Sequence, residues 1–213
     1  MSCKAKGFTL IEVMVALLLM TILSILSWRA LDAMSRTRDT LNAHGQREDQ
    51  LKALFNLWDK DCRQLGFQGN WTISLPVHWD ESQIVLIKEQ TFANGVSRPI
   101  VVIYEAQNQQ LVRIESKALN TRQELMRVWS NALNHHLTPD LGLMNKEVLL
   151  DSIDSISTSI FVERRGWINN EKELIPSSDS NTPRGLSLKA LKLSVTLTHQ
   201  VTPIQKIALT GVE

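Results

Sequence analysis

Catalytic and metal-binding patterns are scarce in this chain. Two cysteines, Cys3 and Cys62, allow at most one disulfide. No phosphate-binding loop occurs, so no nucleotide chemistry is indicated. No G-x-S-x-G element and no H-E-x-x-H spacing occur either. The five histidines, His44, His78, His135, His136 and His199, are read as facing solvent. Adjacent residues on a helix point about 100° apart, so His135 and His136 would not share a metal. Asp59 and Asp61, two apart, do not share a helix face as a carboxylate pair would need. The stretch Ser177–Asn181 is rich in oxygen donors, but it lacks the glycine and closing glutamate of a hand-type calcium loop. Neither an enzyme nor a cofactor or metal site is expected. Charge is nearly balanced, 23 basic against 22 acidic side chains, with no basic run and no aromatic-basic interleaving. Nothing in that balance calls for nucleic acid. No internal repeat and no biased tract is present.

One long apolar run is present. Phe8 to Trp28 is nearly unbroken hydrophobic sequence with a single ionisable side chain, Glu12. A helix of about 21 residues is roughly 31 Å long, enough to cross a bilayer core. Thr9, Thr21, Ser24 and Ser27 can return their hydroxyls to the helix backbone. A carboxylate at the edge of such a segment is costly in lipid and marks a functional residue by default. Lys4 and Lys6 precede the run, which suits a secretory signal or a plain anchor. A secretory signal would have a shorter apolar core and a small-x-small cleavage site after it. Here Trp28-Arg29 follows the run, and the small residue, Gly7, lies before it. Trp28 and Arg29 suit an interfacial anchor.

The block Lys6-Gly7-Phe8-Thr9-Leu10-Ile11-Glu12-Val13 resembles the prepilin-type signal of type IV pilins and of the pseudopilins of type II secretion. The resemblance implies a leader, residues 1–7, that a membrane prepilin peptidase removes by cutting after Gly7. It implies N-methylation of the new first residue, Phe8, and retention of the apolar helix, residues 8–28. Glu12 would be the fifth residue of the processed chain. In the family that carboxylate pairs with the amino terminus of a neighbouring subunit during filament assembly. Two charges at a lipid edge each need an opposite partner, which agrees with that role. Losing the leader would remove Cys3, Lys4 and Lys6, leaving one thiol, no internal disulfide and a formal charge of −1. Disulfide-bonded pilins usually carry a cysteine pair near the C-terminus, so this chain departs from the major pilins.

Residues 29–213 read as one globular domain. Helical pattern continues past the apolar run, weakened around Gly45. Then Leu51, Leu54, Phe55, Trp58, Cys62 and Leu65 form an apolar stripe. The spacing predicts one helix from Phe8 to about Leu65, closed by Gly66 and Gly69, with Cys62 buried. Ile84–Ile87, Ile100–Tyr104 and Leu111–Glu115 read as strands, the last two joined across Gln107–Gln110. Thr121 and Glu124 fit a capping box opening a helix through Leu125, Val128, Trp129 and Leu133, closed by Pro139, Asp140 and Gly142. Ile153–Val162, Leu186–Thr198 and Ile204–Leu209 read as further strands, with a polar loop over Asn169–Arg184. Trp58, Trp71, Trp79, Trp129 and Trp167 are read as core or subunit-contact residues rather than a sugar platform. The expected fold is α+β: a long N-terminal helix, half membrane-embedded and half amphipathic, packed on an antiparallel sheet of about six strands, with a helical insertion. The pilin-like scaffold has the same layout.

Several later pieces resemble the J-type minor pseudopilin of type II secretion. They are Ser27–Ala33, Phe55–Gln64, Tyr104 with Leu111-Val112-Arg113, Leu149–Ile153, Arg164–Trp167 and Thr182–Leu186. The stretch Asn120–Lys146 is longer than that group leads one to expect. Glu12 argues against the K-type tip subunit, which typically lacks the acid. The resemblance implies a structural subunit at the pseudopilus tip, in the bacterial inner membrane with its C-terminal domain in the periplasm. Its partners would be I- and K-type minor pseudopilins and the major pseudopilin, with a separate ATPase supplying energy. The alternatives are a minor pilin of a type IV pilus, for adhesion, motility or DNA uptake, and a membrane-tethered periplasmic enzyme or binding domain.

Overall fold

A computed structural model describes residues 7, 9–66, 75–134, 143–174, 187–198 and 200–211. The chain divides into two units, Met1–Asp49 and Gln50–Glu213. The first is helical. Helix α1, Leu10–Arg63, begins there and runs unbroken through Gly45, where the sequence suggested a weak point. A single glycine costs a helix only about 1 kcal/mol, and the good helix formers around it outweigh that. Every described residue of α1 up to Gln46 is exposed, including the apolar side chains from Leu10 to Leu26. Among the described residues nothing buries that oily surface.

The second unit is where α1 becomes amphipathic. Leu54, Trp58, Cys62 and the following Leu65 are buried, as the stripe predicted. Arg63 ends the helix, and Gly66 takes φ 105°, a conformation that suits glycine.

Among the described residues nine strands follow, not about six, and they form two sheets rather than one. The first is a meander of β1 (Val77–Trp79), β2 (Gln83–Thr91), β3 (Ser97–Gln107), β4 (Gln110–Ser116) and β5 (Leu143–Asp151) in sequence order. The second has the order β7 (Gly166–Ile168), β6 (Ile153–Val162), β8 (Leu188–Leu197), β9 (Ile204–Leu209). All pairings are antiparallel. The β3–β4 turn is tighter than expected. Asn108 and Gln109 alone form it, at φ 52° and 60°, as a primed two-residue hairpin turn requires.

The first sheet is buried on both faces. One face joins α1 and the second sheet in a core containing Trp58, Ile84, Leu86, Val102, Tyr104 and Leu191. The other face carries Val85, Ile87, Val101, Ile103, Val112 and Ile114 under helix α2, Arg122–Leu133. Double burial explains why β2 and β3 read as continuous apolar runs instead of alternating ones. The capping box of α2 is present, with Thr121 and Glu124 satisfying each other's backbone N–H groups. The insertion ends differently from expectation. Leu143 to Asp151 forms edge strand β5, whose polar first half is exposed along Asn145–Val148, so it carried little strand signal. Strands β1 and β7 were also unanticipated, since three residues are too short for alternation to show. A different constraint acts at Gly211. A Cβ there would overlap the Arg63 carbonyl oxygen, so the backbone at Gly211 approaches α1 as only glycine allows.

Candidate functional site

The N-terminal motif is built around Thr9. Gly7 is exposed and non-helical, and α1 starts at Leu10. The Glu12 carboxylate accepts from the Thr9 backbone N–H and from the Thr9 hydroxyl, each at 2.9 Å, while Thr9 Oγ1 accepts from Glu12 N–H at 3.4 Å. This is a capping box, in which serine or threonine and a glutamate three residues on satisfy each other's free donors. Glu12 thus has a local role at the helix start besides the subunit contact that its sequence context suggests. A carboxylate has room for about four hydrogen bonds, so two from Thr9 leave capacity for a further cation. Thr21 donates to the Leu17 carbonyl at 2.6 Å, as expected of a hydroxyl in an oily helix. Trp28 is exposed at the end of the run. Phe8, the expected site of cleavage and methylation, lies outside the described residues, as do Cys3, Lys4 and Lys6.

A second constellation escaped the sequence reading. Asp61 is fully buried, its side chain facing the first sheet. Lys88 Nζ on β2 is 2.8 Å from Asp61 Oδ1. Arg113 on β4 clasps both oxygens, Nε at 2.9 Å from Oδ2 and Nη2 at 3.1 Å from Oδ1. The Tyr104 hydroxyl donates to Oδ2 at 2.7 Å. Glu115 closes the group, 3.1 Å from Lys88 Nζ and 2.6 Å from Arg113 Nη1. Two cations thus meet two carboxylates in a buried, neutral cluster that ties the end of α1 to the sheet.

Burial pushes the Asp61 pKa up, but the hydrogen bonds and charge of Arg113, and then those of Lys88, outweigh it and hold the carboxyl below its usual value. Burial, followed by the Asp61 charge, pushes the Tyr104 hydroxyl well up, so it stays a neutral donor. Asp59, by contrast, sits at the surface and pairs with Arg63 at 2.7 Å. The two aspartates do lie apart, as anticipated; what was not anticipated is that Asp61 falls on the buried stripe beside Cys62. The spacing of Leu54, Trp58 and Asp61 could have shown it.

Cys62 is buried, and its thiol pKa is pushed far up by burial, then by Asp61 and Asp59. A chain cut after Gly7 would have it as its sole cysteine. A thiol reagent at about pH 8 is therefore expected to label no cysteine in the native protein and one after denaturation. Fast native labelling would show that α1 leaves the sheet readily.

A third place is an open groove of about 760 Å³ beside β1, β6 and the short 3-10 turn Glu171–Leu174. It brings together His78, Asp80, Glu81, Asn169 and Glu171, which the sequence did not connect. His78 is half-buried rather than solvent-facing, with Nδ1 2.6 Å from Glu171 Oε2. Asp80 Oδ1 accepts from the N–H groups of Ser82 and Gln83 and shapes the turn into β2. Trp79 donates to the Asn169 carbonyl at 3.0 Å, linking the first sheet to the chain beyond β7. Two of the groove's carboxylates thus have structural partners. Among the described residues no three His, Cys, Asp or Glu side chains form a metal-binding group. His44 is exposed; His135, His136, His199, Gly69, Trp71, Pro139, Asp140, Gly142 and the stretches 177–181 and 182–186 lie outside the described residues. Trp58 and Trp79 are core residues, Trp129 is half-buried and Trp167 is exposed.

Residues 2–28 match the prokaryotic N-terminal methylation motif. No curated protein matches the chain. The motif implies a pilin-like protein of type II secretion or of type IV pili, processed by a prepilin peptidase and assembled with other pilin-like subunits. Its apolar helix is consistent with a single-pass inner-membrane anchor.

Proposed function

We propose that this chain is a J-type minor pseudopilin of type II secretion. In this reading it sits at the pseudopilus tip with I- and K-type partners and primes assembly of the major pseudopilin. The filament then moves folded proteins across the outer membrane. The role is structural rather than catalytic, and the C-terminal domain lies in the periplasm. The observation that carries the reading is a methylation motif opening directly into an apolar helical segment whose side chains from Leu10 to Leu26 are exposed. Such a surface needs lipid before assembly and neighbouring helices after it. The remaining support for the J type is the run of resemblances from Ser27 to Leu186.

A type IV minor pilin would share the motif, and co-purification separates the two. The full chain, co-expressed with I- and K-type pseudopilins and extracted in detergent, is expected to purify with both. Failure to do so, together with co-purification with minor pilins of a retractable pilus, would transfer the protein to that system.

Glu12 is proposed to pair with the amino terminus of a neighbouring subunit. Glu12→Ala is expected to leave thermal unfolding of the second unit unchanged while weakening incorporation by about 3 kcal/mol, since the partner amine would be left unpaired in a low-dielectric setting. Quantifying the variant in sheared filaments checks this. Normal incorporation would leave Glu12 with only its bond to Thr9.

A further inference from the structure

The groove beside β1 and β6 runs along two strand edges. Successive residues of a strand point to opposite faces, so a surface that touches two in a row follows the strand's edge. The groove touches Ser157 and Thr158 on β6, and His78 and Trp79 on β1. On one side β6 is paired with β8 from Ile153 to Val162. On the other, β7 covers only Ile160–Val162. Among the described residues β1 pairs with β2 alone. Each sheet thus turns an uncovered edge toward the same space. Its volume, about 760 Å³, falls within the range of ligand-holding clefts, about 300–1,000 Å³.

One group on this edge lacks a partner. Thr158 is 4% exposed, and its Oγ1 makes no hydrogen bond among the described residues. Ile156 and Ile160, two residues to either side, belong to the core. A buried hydroxyl without a partner lowers stability, whereas valine would fill nearly the same space without that cost. Threonine here is a loss to the empty fold that a hydrogen bond from a ligand would offset.

Charge narrows the occupant, and the charges line the groove itself. Asp80, Glu81 and Glu171 stand against Lys172 and His78. Whether His78 is neutral or protonated, the lining keeps a net negative charge. Asp80 is engaged by the turn into β2, and Glu171 Oε2 by His78. Glu81 is exposed and forms no ion pair among the described residues. An extended segment carrying lysine or arginine answers all three features. Its main chain suits the bare edges, an N–H suits the Thr158 hydroxyl, and its cation suits Glu81.

We propose that the groove between β1 and β6 binds an extended basic segment of a different protein, which lies along the free edge of β6 at Ser157–Thr158 and sets a lysine or arginine against Glu81. The proposal goes beyond filament assembly, rests on the second unit alone and holds for either filament system.

The test uses the full chain in an uncharged detergent and a fluorescein-labelled peptide of alternating threonine and lysine, about eight residues long. One control has glutamate for lysine, and another has its main-chain nitrogens methylated at alternate residues. Fluorescence anisotropy is expected to show the basic peptide binding about tenfold more tightly than either control. Glu81→Lys should weaken the basic peptide about tenfold. Glu147→Lys, at an exposed position on β5 at the opposite end of the first sheet from β1, should leave it unchanged. Thr158→Val should weaken binding about fivefold while raising the urea midpoint, a pair of effects that a purely structural hydroxyl would not give. If Thr158→Val loosens the fold, Glu81→Lys reads the same groove from an exposed position. Equal binding of the basic and acidic peptides, or unchanged affinity in Glu81→Lys or in a folded Thr158→Val, would overturn the proposal. So would self-association that Glu81→Lys abolishes, because the occupant would then be a second copy.

Discussion

Asp61→Ala is expected to destabilise the second unit by about 3–5 kcal/mol, the cost of leaving buried cations without their anion. Two cations are affected. Lys88 and Arg113 are nearly inaccessible, and among the described residues the carboxylate left to each is Glu115, which is itself partly exposed. Tyr104 also loses the acceptor for its hydroxyl. Domains of this kind are stable by only about 5–15 kcal/mol, so the variant sits close to unfolding at room temperature. Urea unfolding followed by tryptophan fluorescence measures the loss, since Trp58 packs edge to face on Tyr104 at 5.3 Å. A loss below about 1 kcal/mol would mean that water reaches the cluster. Replacing Asp61, Lys88 and Arg113 together by apolar residues should recover most of the stability, because removing all three leaves neither buried cation nor buried anion. The same cluster sets a pH limit. Asp61 has a lower pKa folded than unfolded, so its contribution is complete above its unfolded value of 3.8 and is lost as pH falls through the folded one. Acid unfolding traceable to Asp61 thus begins only below about pH 4.

Gly7→Leu is expected to abolish processing. The proposed peptidase must seat the residue before the cut in a site that accepts glycine, and a branched side chain there gives an all-or-none defect. Intact mass is the measurement. The wild-type chain should lack residues 1–7 and carry a methyl group on Phe8, while the variant retains its leader. A variant shortened like the wild type would remove the cleavage assignment and leave a plain anchor. Since Gly7 is exposed and a Cβ there meets no atom within 4 Å, a folding defect would not explain retention.

Much of the architecture was legible because it follows from period and punctuation. The stripe from Leu51 to Leu65, the Thr121–Glu124 capping box and strand Ile204–Leu209 are local patterns, and each stands where the spacing put it. What stayed hidden depends on pairing across long separations. Nothing local shows that Ile153 begins a second sheet, since antiparallel strands look alike wherever they hydrogen-bond. Asp61, Lys88 and Arg113 lie on three elements, and no local spacing ties any one of them to the others. The N-terminal block was the opposite case. Its chemistry is contiguous, so it could be read without a fold, and only the Thr9 contact with Glu12 needed coordinates.

That contact bears on how the chain can be trimmed. Proteases take their substrates extended, and α-helical backbone must first melt. Because Thr9 closes off the rod by itself, the bond after Gly7 lies upstream of the first helical residue, Leu10. In the proposed processing the leader would therefore be shed without fraying a single turn, and the side chains of Thr9 and Glu12 would seal the new beginning. Maturation would then alter only electric charge and length at this end, leaving the greasy segment seated in its lipid throughout.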